Sequence, residues 1–357
     1  EVALIELINA LPEELYNITL VLLDSDNEYA YRLKKNVNIV QLTFNSSFAK
    51  SLVSMYAFPA KVLKKLSVNS FIAYYDFISN CVTNVFEKTY DIAIDFYGYG
   101  SFVTAFLATK IQAKKKATWL HDEKPYWMKS VQKYLCEYDK IYGVSQAVVD
   151  AFCREYPHYK DKAAVFYNVI DIEEIKRKSE QDEIIPFKES FNIVTVGRLT
   201  EQKGYDIAIK AASILKKRKI NFAWYAIGGG RDEKKLKKLV EKYCLENQFV
   251  FLGRKKNPYP YMKHCDLYVQ PSRHEGYVIT LVEARALCLP ILSSDIPSAR
   301  EQIQDGINGY VAELSAEDLA DKIEYLYNNP SQRKKTVEYL KEHPIDFSTE
   351  LLKLEII

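Results

Sequence analysis

The sequence lacks the features that mark membrane-spanning, disulfide-bonded and nucleic-acid-binding proteins. None of its 357 residues lies in an apolar run of the roughly 18 residues that a membrane span requires, and no secretory signal segment is recognisable. The six cysteines are scattered without a C-x-x-C pair, which argues against zinc or disulfide sites and predicts reduced thiols in a cytoplasmic protein. A formal net charge of +2 argues against a nucleic-acid partner.

The composition itself is that of a soluble globular protein, with 48% hydrophobic and 27% charged residues. A chain of 357 residues is long for one core and predicts two domains. Short β-rich runs alternate with amphipathic helical stretches, which indicates an α/β fold with parallel sheets covered on both faces. The predicted strands are 18–23, 37–42, 91–96, 117–120, 140–144, 163–167, 192–197, 222–227, 249–252, 267–270, 290–293 and 309–312.

A polar stretch rich in Lys and Glu interrupts this alternation at 176–190, and we predict that it is the linker between the domains. The amino-terminal domain is then expected at 1–175. The second domain, at 191–344, restarts a βα series as a doubly wound sheet does.

Two carboxylates, Glu275 and Glu283, stand eight positions apart after a predicted strand. Glu275 lies in a glycine-containing loop and Glu283 in an apolar-patterned helix. Such a loop aims the unpaired N–H groups of a helix start into a cleft, where they can hold an anion. Paired carboxylates alone also fit exposed surface residues, or a glycoside hydrolase with one acid and one nucleophile or base.

Two basic residues after another strand argue against the hydrolase. Arg198 and Lys203 lie five apart in a glycine-flanked loop, so both can reach one anion, Arg as a planar fork and Lys as a point charge. Basic residues in a loop are often merely solvated. Here the glycines and the downstream acidic pair favour a diphosphate site, which an enzyme acting on a neutral glycoside does not need.

Other candidates also follow predicted strands, where ligands bind in doubly wound sheets. His121 begins a polar run after a buried-type strand, which favours a role in a cleft over a structural one. The cluster 228–230 is half of a phosphate loop or a tight turn. Ser145 is interpreted as the N-cap of a helix over 146–154, and Asp-Ser-Asp at 24–26 as a helix-capping turn. We predict no metal site.

Together these motifs resemble the retaining glycosyltransferases of family 4. The resemblance implies the GT-B fold, in which two doubly wound Rossmann-like domains face a central cleft. It is densest from 192 to about 313 and rests on ordered motifs at 197–204, 227–230, 251–253, 266–272, 275–284, 290–295 and 305–309.

The resemblance also implies roles for single residues. Those implied to bind the donor are Arg198, Lys203, Gly228, Arg254, Glu275, Gly276, Val278, Ile279, Thr280 and Glu283. Those implied to be catalytic are Glu275, His121, Arg198 and Lys203. Arg198 and Lys203 would bind the diphosphate, Glu275 the sugar hydroxyls, Glu283 the ribose hydroxyls, and His121 would face the sugar and the acceptor. Main-chain N–H groups near 278–280 would hold phosphate, and Arg254 would lie near the base.

The implied reaction moves a hexose from a UDP- or GDP-linked donor to a glycan or lipid-linked acceptor, with retention of configuration and without a cofactor. Basic residues interleaved with aromatics at 50–75 and 110–119 fit peripheral contact with an anionic bilayer, or an ordinary lysine-rich face. The alternatives are a sugar-nucleotide epimerase of the same fold, which needs no Glu275/Glu283 pair, and a non-catalytic binding subunit.

Two departures from the family pattern carry expectations. Val278 stands where a second glycine is common, so we expect a narrower donor pocket, although negative φ remains available to it. The chain begins in what reads as the first helix of the family fold, so its first strand is expected to be missing. The stretch 345–357 resembles the final helix that returns to the first domain.

Overall fold

The computed structural model describes residues 2–23, 32–34, 36–47, 51, 68–86, 88–98, 101–181, 187 and 190–355. The chain divides into two compact units, Glu1–Ile170 with Phe347–Ile357, and Asp171–Asp346. Across the described ranges, all twelve predicted strands are present, and their ends shift by at most four residues. All of them pair in parallel, which confirms the α/β class. The turn predicted at 24–26 lies outside the described residues.

The first unit contains two parallel sheets, β1-β2 and β3-β4-β5-β6. Its elements are α1 (Val2–Ala10), β1 (Thr19–Leu22), β2 (Asn38–Gln41), α2 (Val68–Asn80), β3 (Tyr90–Asp95), α3 (Phe102–Lys110), β4 (Ala113–Leu120), β5 (Lys140–Gly143), α4 (Gln146–Glu155) and β6 (Ala163–Val165). Ser145 caps α4 as predicted, because its hydroxyl accepts from the Val148 N–H at 3.2 Å.

The turn after β3 is fixed by the buried carboxylate of Asp95. Its oxygens accept from the Gly98 N–H at 3.0 Å and from the hydroxyls of Thr104 and Thr118 at 2.6 and 3.0 Å. Burial raises the pKa of Asp95, and these donors oppose that shift. Gly98 has φ +57°, and a Cβ there would lie 1.3 Å from the Trp119 carbonyl oxygen, so only glycine fits.

The last described segment of the chain packs on the first unit through a short helix, α13 (Ser348–Leu352). Glu350, 6% exposed, accepts from the Tyr167 N–H at 2.9 Å and pairs with Lys353 at 2.7 Å. The Lys353 ammonium also donates to the Val165 carbonyl at 3.0 Å. The chain therefore leaves this unit after Ile170 and re-enters it at Phe347.

The second unit has one parallel sheet in the order β12-β11-β10-β7-β8-β9. Its elements are α5 (Ile172–Ser179), β7 (Phe191–Val196), α6 (Tyr205–Lys217), β8 (Phe222–Ile227), α7 (Glu233–Lys242), β9 (Phe249–Gly253), α8 (Tyr259–Lys263), β10 (Leu267–Gln270), α9 (Ile279–Ala286), β11 (Ile291–Ser294), α10 (Pro297–Arg300), β12 (Tyr310–Ala312), α11 (Ala316–Asn328) and α12 (Pro330–Glu342). This is the doubly wound order 3-2-1-4-5-6, and it reverses between β7 and β10.

Alternate residues of each strand in this sheet enter two different cores. Ile193, Trp224 and Val269 face one core, and their neighbours Val194 and Tyr225 face the other. All five are at most 1% exposed, and burying each such side chain stabilises the fold by roughly 2 kcal/mol. Strands covered on both faces need near-continuous apolar runs, which is why their positions could be predicted.

The stretch predicted as the linker begins inside α5. Asp171 caps this helix by accepting from the Glu174 N–H at 2.8 Å, and Glu174 pairs with Arg177 one turn later at 2.9 Å. Residues 176–179 are therefore helical, and they belong to the second unit. Residues 182–186, 188 and 189 lie outside the described part of the chain.

Candidate functional site

The loops that follow β7 and β10 touch each other at the point where the strand order reverses. In doubly wound sheets, this reversal opens a crevice beyond the carboxyl ends of the two strands. Gly204 ends the first loop with φ +66°, and a Cβ there would lie 1.8 Å from the carbonyl oxygen of Pro271 in the second. The backbone of one loop thus packs directly on the other, which no side chain at position 204 would permit.

Across this contact Lys203 and Glu275 form an ion pair. The Lys203 Nζ lies 2.7 Å from Glu275 Oε1, and the two side chains are 14% and 9% exposed. Both were predicted site residues, but their pairing was not predicted. Because a buried carboxylate is costly without a cation, the Lys203 ammonium compensates the charge of the Glu275 carboxylate.

A second ion pair holds the two loops in register. Arg273 bonds Asp206 through both of its terminal nitrogens, each at 2.8 Å, and also donates to the Glu201 carbonyl at 2.7 Å. The Arg273 guanidinium lowers the pKa of the Asp206 carboxyl by hydrogen bonding. Bidentate pairs are geometrically specific, so this contact fixes the turn carrying Lys203 against the loop carrying Glu275.

Further polar groups orient Glu275. Ser272 donates to its Oε1 at 2.8 Å, the Gln202 amide lies 3.5 Å from its Oε2, and Ser298 donates to its main-chain carbonyl at 2.9 Å. Gln202 and Ser272 lie in motifs singled out from the sequence but received no role there, and Ser298 was not singled out. The available signal was their polar character at strand and helix ends within otherwise apolar runs.

The start of α9 presents main-chain donors beside this carboxylate. Its N-cap, Val278, provides no side-chain acceptor. Among the described residues, the N–H groups of Ile279 and Thr280 reach no carbonyl or side-chain oxygen, while the next one, of Leu281, donates to the Val278 carbonyl at 3.1 Å. Unpaired N–H groups at a helix start, with the positive end of the helix dipole, suit a phosphate.

Val278 occupies its position without backbone strain. Its φ is −92°, a value open to any residue, and its side chain is 1% exposed in the core that also contains Leu281. Gly276, two residues earlier, is also buried. The valine therefore directs its side chain into the core.

Glycines 228–230 are needed for close packing of the β8 turn on the β7 turn. Gly228 has φ +148°, and a Cβ there would lie 1.9 Å from the Gly197 carbonyl oxygen. A Cβ on Gly229 would lie 2.9 Å from Arg254 Nε, so the exposed Arg254 side chain crosses this turn. Arg198, which directly follows Gly197, is exposed, and its guanidinium contacts no carboxylate among the described residues.

Glu283 projects from α9 and accepts from the Tyr259 hydroxyl at 3.0 Å. Burial raises the pKa of Tyr268 well above its usual value, and the charges of Glu283 and Glu275 add to that shift. Both predicted carboxylates therefore lie close enough to the buried Tyr268 hydroxyl to affect it.

His121 belongs to the first unit, at the end of β4. Its Nε2 lies 2.7 Å from the Phe96 carbonyl oxygen, so this nitrogen carries a proton and donates. Burial lowers the pKa of His121, and its hydrogen bond with Phe96 partly opposes that shift. The ring is therefore neutral near pH 7.

The lysines at one end of β4 contact the protein itself. Lys114 pairs with Asp91 at 2.6 Å and Lys115 with Asp139 at 3.5 Å, while Lys116 donates to the Ala108 carbonyl at 2.8 Å. Residues 52–67 of the other predicted basic stretch lie outside the described chain. In the described part, no helix is long and apolar enough to cross a bilayer.

Comparison with known proteins places the sequence similarity in the second unit. Residues 176–343, slightly under half of the chain, match the family described as glycosyl transferases group 1. An uncharacterized glycosyltransferase of Methanocaldococcus jannaschii is 33% identical over 172 residues, 47% of this chain and 40% of that protein. The N-acetylgalactosamine-N,N'-diacetylbacillosaminyl-diphospho-undecaprenol 4-alpha-N-acetylgalactosaminyltransferase of Campylobacter jejuni is 30% identical over 184 residues, 48% of this chain and 49% of that one. The matched region thus spans about half the length of these relatives.

Solved structures extend the likeness to nearly the whole chain. HepE of Anabaena, determined with UDP, has a TM-score of 0.71 at 17% identity, covering 99% of this chain and 94% of HepE. The lipopolysaccharide outer core galactosyltransferase WaaB has a TM-score of 0.66 at 14% identity, with coverage of 99% and 94%. TarM of S. aureus has a TM-score of 0.62 at 22% identity, with coverage of 74% and 54%. These proteins have the GT-B fold, and so has this chain.

Proposed function

We propose that this chain is a nucleotide-sugar-dependent glycosyltransferase that moves a hexose with retention of configuration. The observation that carries the proposal is the Lys203–Glu275 pair, 2.7 Å long, at the strand-order reversal beside the unpaired N–H groups of α9. The match of residues 176–343 to glycosyl transferases group 1 supports the same reaction class. A diphosphate requires cations and N–H donors, and a sugar requires hydroxyl acceptors; this crevice offers all of them.

In the proposed complex the donor diphosphate lies on the N–H groups of Ile279 and Thr280. The exposed guanidinium of Arg198 donates two hydrogen bonds to the diphosphate, and the Lys203 ammonium also attracts it electrostatically. As the bond to the sugar breaks, negative charge grows on the departing nucleotide. Fixed donors already aimed at that position stabilise this charge without a metal. We therefore assign departure of the nucleotide to Arg198, Lys203 and the helix start.

Glu275 orients the sugar by accepting its hydroxyls, and Glu283 accepts from the ribose. His121, neutral because burial lowers its pKa, suits contact with hydroxyl groups rather than proton donation to a leaving group. No described side chain stands out as a dedicated base. We therefore propose that the acceptor attacks on the face that the nucleotide leaves and gives its proton to the departing phosphate, which retains configuration.

The donor is proposed to be UDP- or GDP-linked, and the acceptor a glycan or lipid-linked oligosaccharide. HepE was determined with UDP-glucose, and TarM with UDP and α-GlcNAc-glycerol. The C. jejuni relative is named for a diphospho-undecaprenol acceptor. We propose a similar acceptor here and action at the cytoplasmic face of the membrane. Lys114 and Lys115 of β4 pair with Asp91 and Asp139 but remain exposed, so the proposed membrane contact includes them.

Nucleotide release from UDP-, GDP- and ADP-linked hexoses by the full chain tests the proposed activity. We expect turnover with one of these bases, and a loss of about a hundredfold in Lys203→Ala or Glu275→Ala. Turnover that survives unchanged in Lys203→Ala would remove the proposed phosphate role. NMR of the product reports the anomeric configuration, and inversion would refute the retaining mechanism.

The same measurements separate the two alternatives. Thermal stabilisation by a nucleotide-sugar with no release of nucleotide would favour a non-catalytic binding subunit. Conversion of the free nucleotide-sugar into its epimer, without an acceptor, would favour an epimerase. An epimerase does not need the Glu275/Glu283 pair, and the intact set of Arg198, Lys203, Glu275 and Glu283 argues against a subunit that has lost its catalytic function.

A further inference from the structure

A chain of buried hydrogen bonds connects Glu275 with the start of α9 through Gln270, the last residue of β10. The Gln270 amide nitrogen lies 2.6 Å from the Ser272 hydroxyl, which donates to Glu275 Oε1 at 2.8 Å. The side-chain amide oxygen of Gln270, Oε1, accepts from the Thr280 hydroxyl at 3.0 Å and from the Tyr268 hydroxyl at 2.5 Å. Gln270 is 1% exposed and Ser272 is fully buried, so water does not compete with these bonds.

The direction of each bond follows from the chemistry of its ends. Glu275, paired with Lys203, can only accept, so the single proton of the Ser272 hydroxyl is committed to it. Ser272 must then accept from position 270, which places the amide nitrogen of Gln270 toward it. The amide oxygen consequently faces Thr280, whose hydroxyl donates. The Gln270 side chain thus contacts both Ser272, which bonds to Glu275, and Thr280 in the first turn of α9.

The same bonds determine which oxygen of Glu275 is available to a ligand. Oε1 already accepts from Ser272 and Lys203, at 2.8 and 2.7 Å. Among the residues that the structure describes, Oε2 contacts only the Gln202 amide nitrogen, at 3.5 Å. A sugar hydroxyl therefore finds its acceptor in Oε2, whose direction is set by the bonds to Oε1.

We propose that Gln270 is a positioning residue that couples the sugar-binding carboxylate Glu275 to the phosphate-binding start of α9. This inference rests on the proposed function, because it assumes a donor that uses both groups. Gln270 touches neither sugar nor phosphate. It holds Ser272 and Thr280 in place, so that Glu275, which binds the sugar, and the start of α9, which binds the phosphate, stay at a fixed distance from each other.

Two single-group removals test the two arms of this coupling separately. Ser272→Ala deletes the bond to Glu275 and leaves the Thr280 arm intact. Thr280→Val deletes the hydroxyl on α9 and leaves the Glu275 arm intact. Gln270→Met keeps similar volume and deletes both. Ser213→Ala is the matched control, because Ser213 is a buried serine of the same unit that donates within its own helix to the Lys210 carbonyl.

Calorimetry of the full chain measures its affinities for UDP, GDP and ADP and for UDP-glucose, GDP-mannose and ADP-glucose. The variants are then compared with the nucleoside diphosphate and the matching nucleotide-sugar that the wild type binds. We expect Ser272→Ala to weaken nucleotide-sugar binding by about tenfold and to leave nucleoside-diphosphate binding within about twofold. Thr280→Val should weaken both ligands by a similar factor. Gln270→Met should combine the two effects, and Ser213→Ala should match the wild type.

The ratio between the two affinities distinguishes positioning from general destabilisation, which would not change that ratio. If Ser272→Ala changes both affinities equally, or if Gln270→Met binds as the wild type does, the inference is wrong while the proposed function stands. If the wild type binds none of the six ligands, the proposed function fails and the inference fails with it. If Gln270→Met does not fold, the two single-group variants still decide.

Discussion

Arg273 holds both carboxylate oxygens of Asp206 at 2.8 Å, and this pair joins the two loops of the candidate site. Asp206 lies in the first turn of α6, just after the turn that contains Lys203. Arg273 lies two residues before Glu275. The distance between the lysine and the glutamate therefore depends on a neighbouring ion pair that itself need not contact the donor.

Arg273→Lys should weaken nucleotide-sugar binding by about tenfold, because a lysine cannot make two parallel bonds to Asp206. The matched control is Arg300→Lys, which breaks a similar bidentate pair with Asp295, at 2.6 and 2.8 Å, on the exposed end of α10. Titration of both variants with the preferred donor compares them. Equal effects of the two substitutions would mean that the Arg273 pair has no special role.

Removing one partner of the Lys203–Glu275 pair should destabilise the fold. Lys203→Met leaves a carboxylate that is 9% exposed without its cation, at a cost of about 3 kcal/mol. The double variant with Glu275→Gln removes the charge that needed a partner, so it should recover a large part of that loss. Urea unfolding of the wild type, the two single variants and the double variant measures this coupling. Simple additivity of the two losses would contradict it.

Gly204→Ala and Gly253→Ala form a matched pair of substitutions at positive φ, +66° and +71°. A Cβ at position 204 meets the Pro271 carbonyl oxygen at 1.8 Å, whereas a Cβ at 253 meets nothing within 4 Å. Gly253→Ala should therefore cost about 1 kcal/mol, the backbone strain alone. Gly204→Ala should cost several times more and also weaken donor binding. Thermal unfolding and donor titration test this, and similar losses at both positions would refute it.

The neutral, partly buried ring of His121 predicts a pH effect on stability. Its pKa in the folded protein lies below the usual 6.5, so between that lower value and 6.5 only the unfolded chain takes up the proton. The contribution of neutral His121 to the free energy of unfolding is therefore fully present above about pH 6.5, and it is lost as the pH falls through this window. Relative to His121→Asn, the wild type should lose stability on acidification from pH 7 to pH 5. Parallel pH profiles of the two proteins in urea unfolding would contradict the assignment.

The strands of both units could be predicted because most of them are apolar runs with clear ends. The bounds of β8 were predicted without error. The start of β4 lies four residues earlier than predicted, because Lys114, Lys115 and Lys116 interrupt the apolar pattern that marks a strand. In the structure this segment pairs with β3, and two of the lysines reach acidic residues on neighbouring segments. The pairing of this segment with β3 therefore outweighs the low strand propensity of its lysines.

The site was predictable in its residues but not in its contacts. Lys203 and Glu275 were each expected to bind the donor, because both follow predicted strands. Their pairing depends on β7 and β10 being neighbours in the sheet, although 70 residues of chain lie between the end of β7 and the start of β10. Gln270 and Ser272 lie in the predicted motif 266–272, but no role could be predicted for either, because the role of a polar residue at a strand end depends on its hydrogen-bonding partners.

The placement of α13 on the first unit has a consequence for the order in which the protein is made. A ribosome releases the whole of the second unit before it releases Glu350 and Lys353, whose contacts with β6 and Tyr167 belong to the first. The second unit, continuous in sequence, can fold as soon as it emerges. The first unit must wait, partly assembled, until α13 has emerged. Its exposure to proteases and chaperones is therefore set by the length of the unit inserted within it.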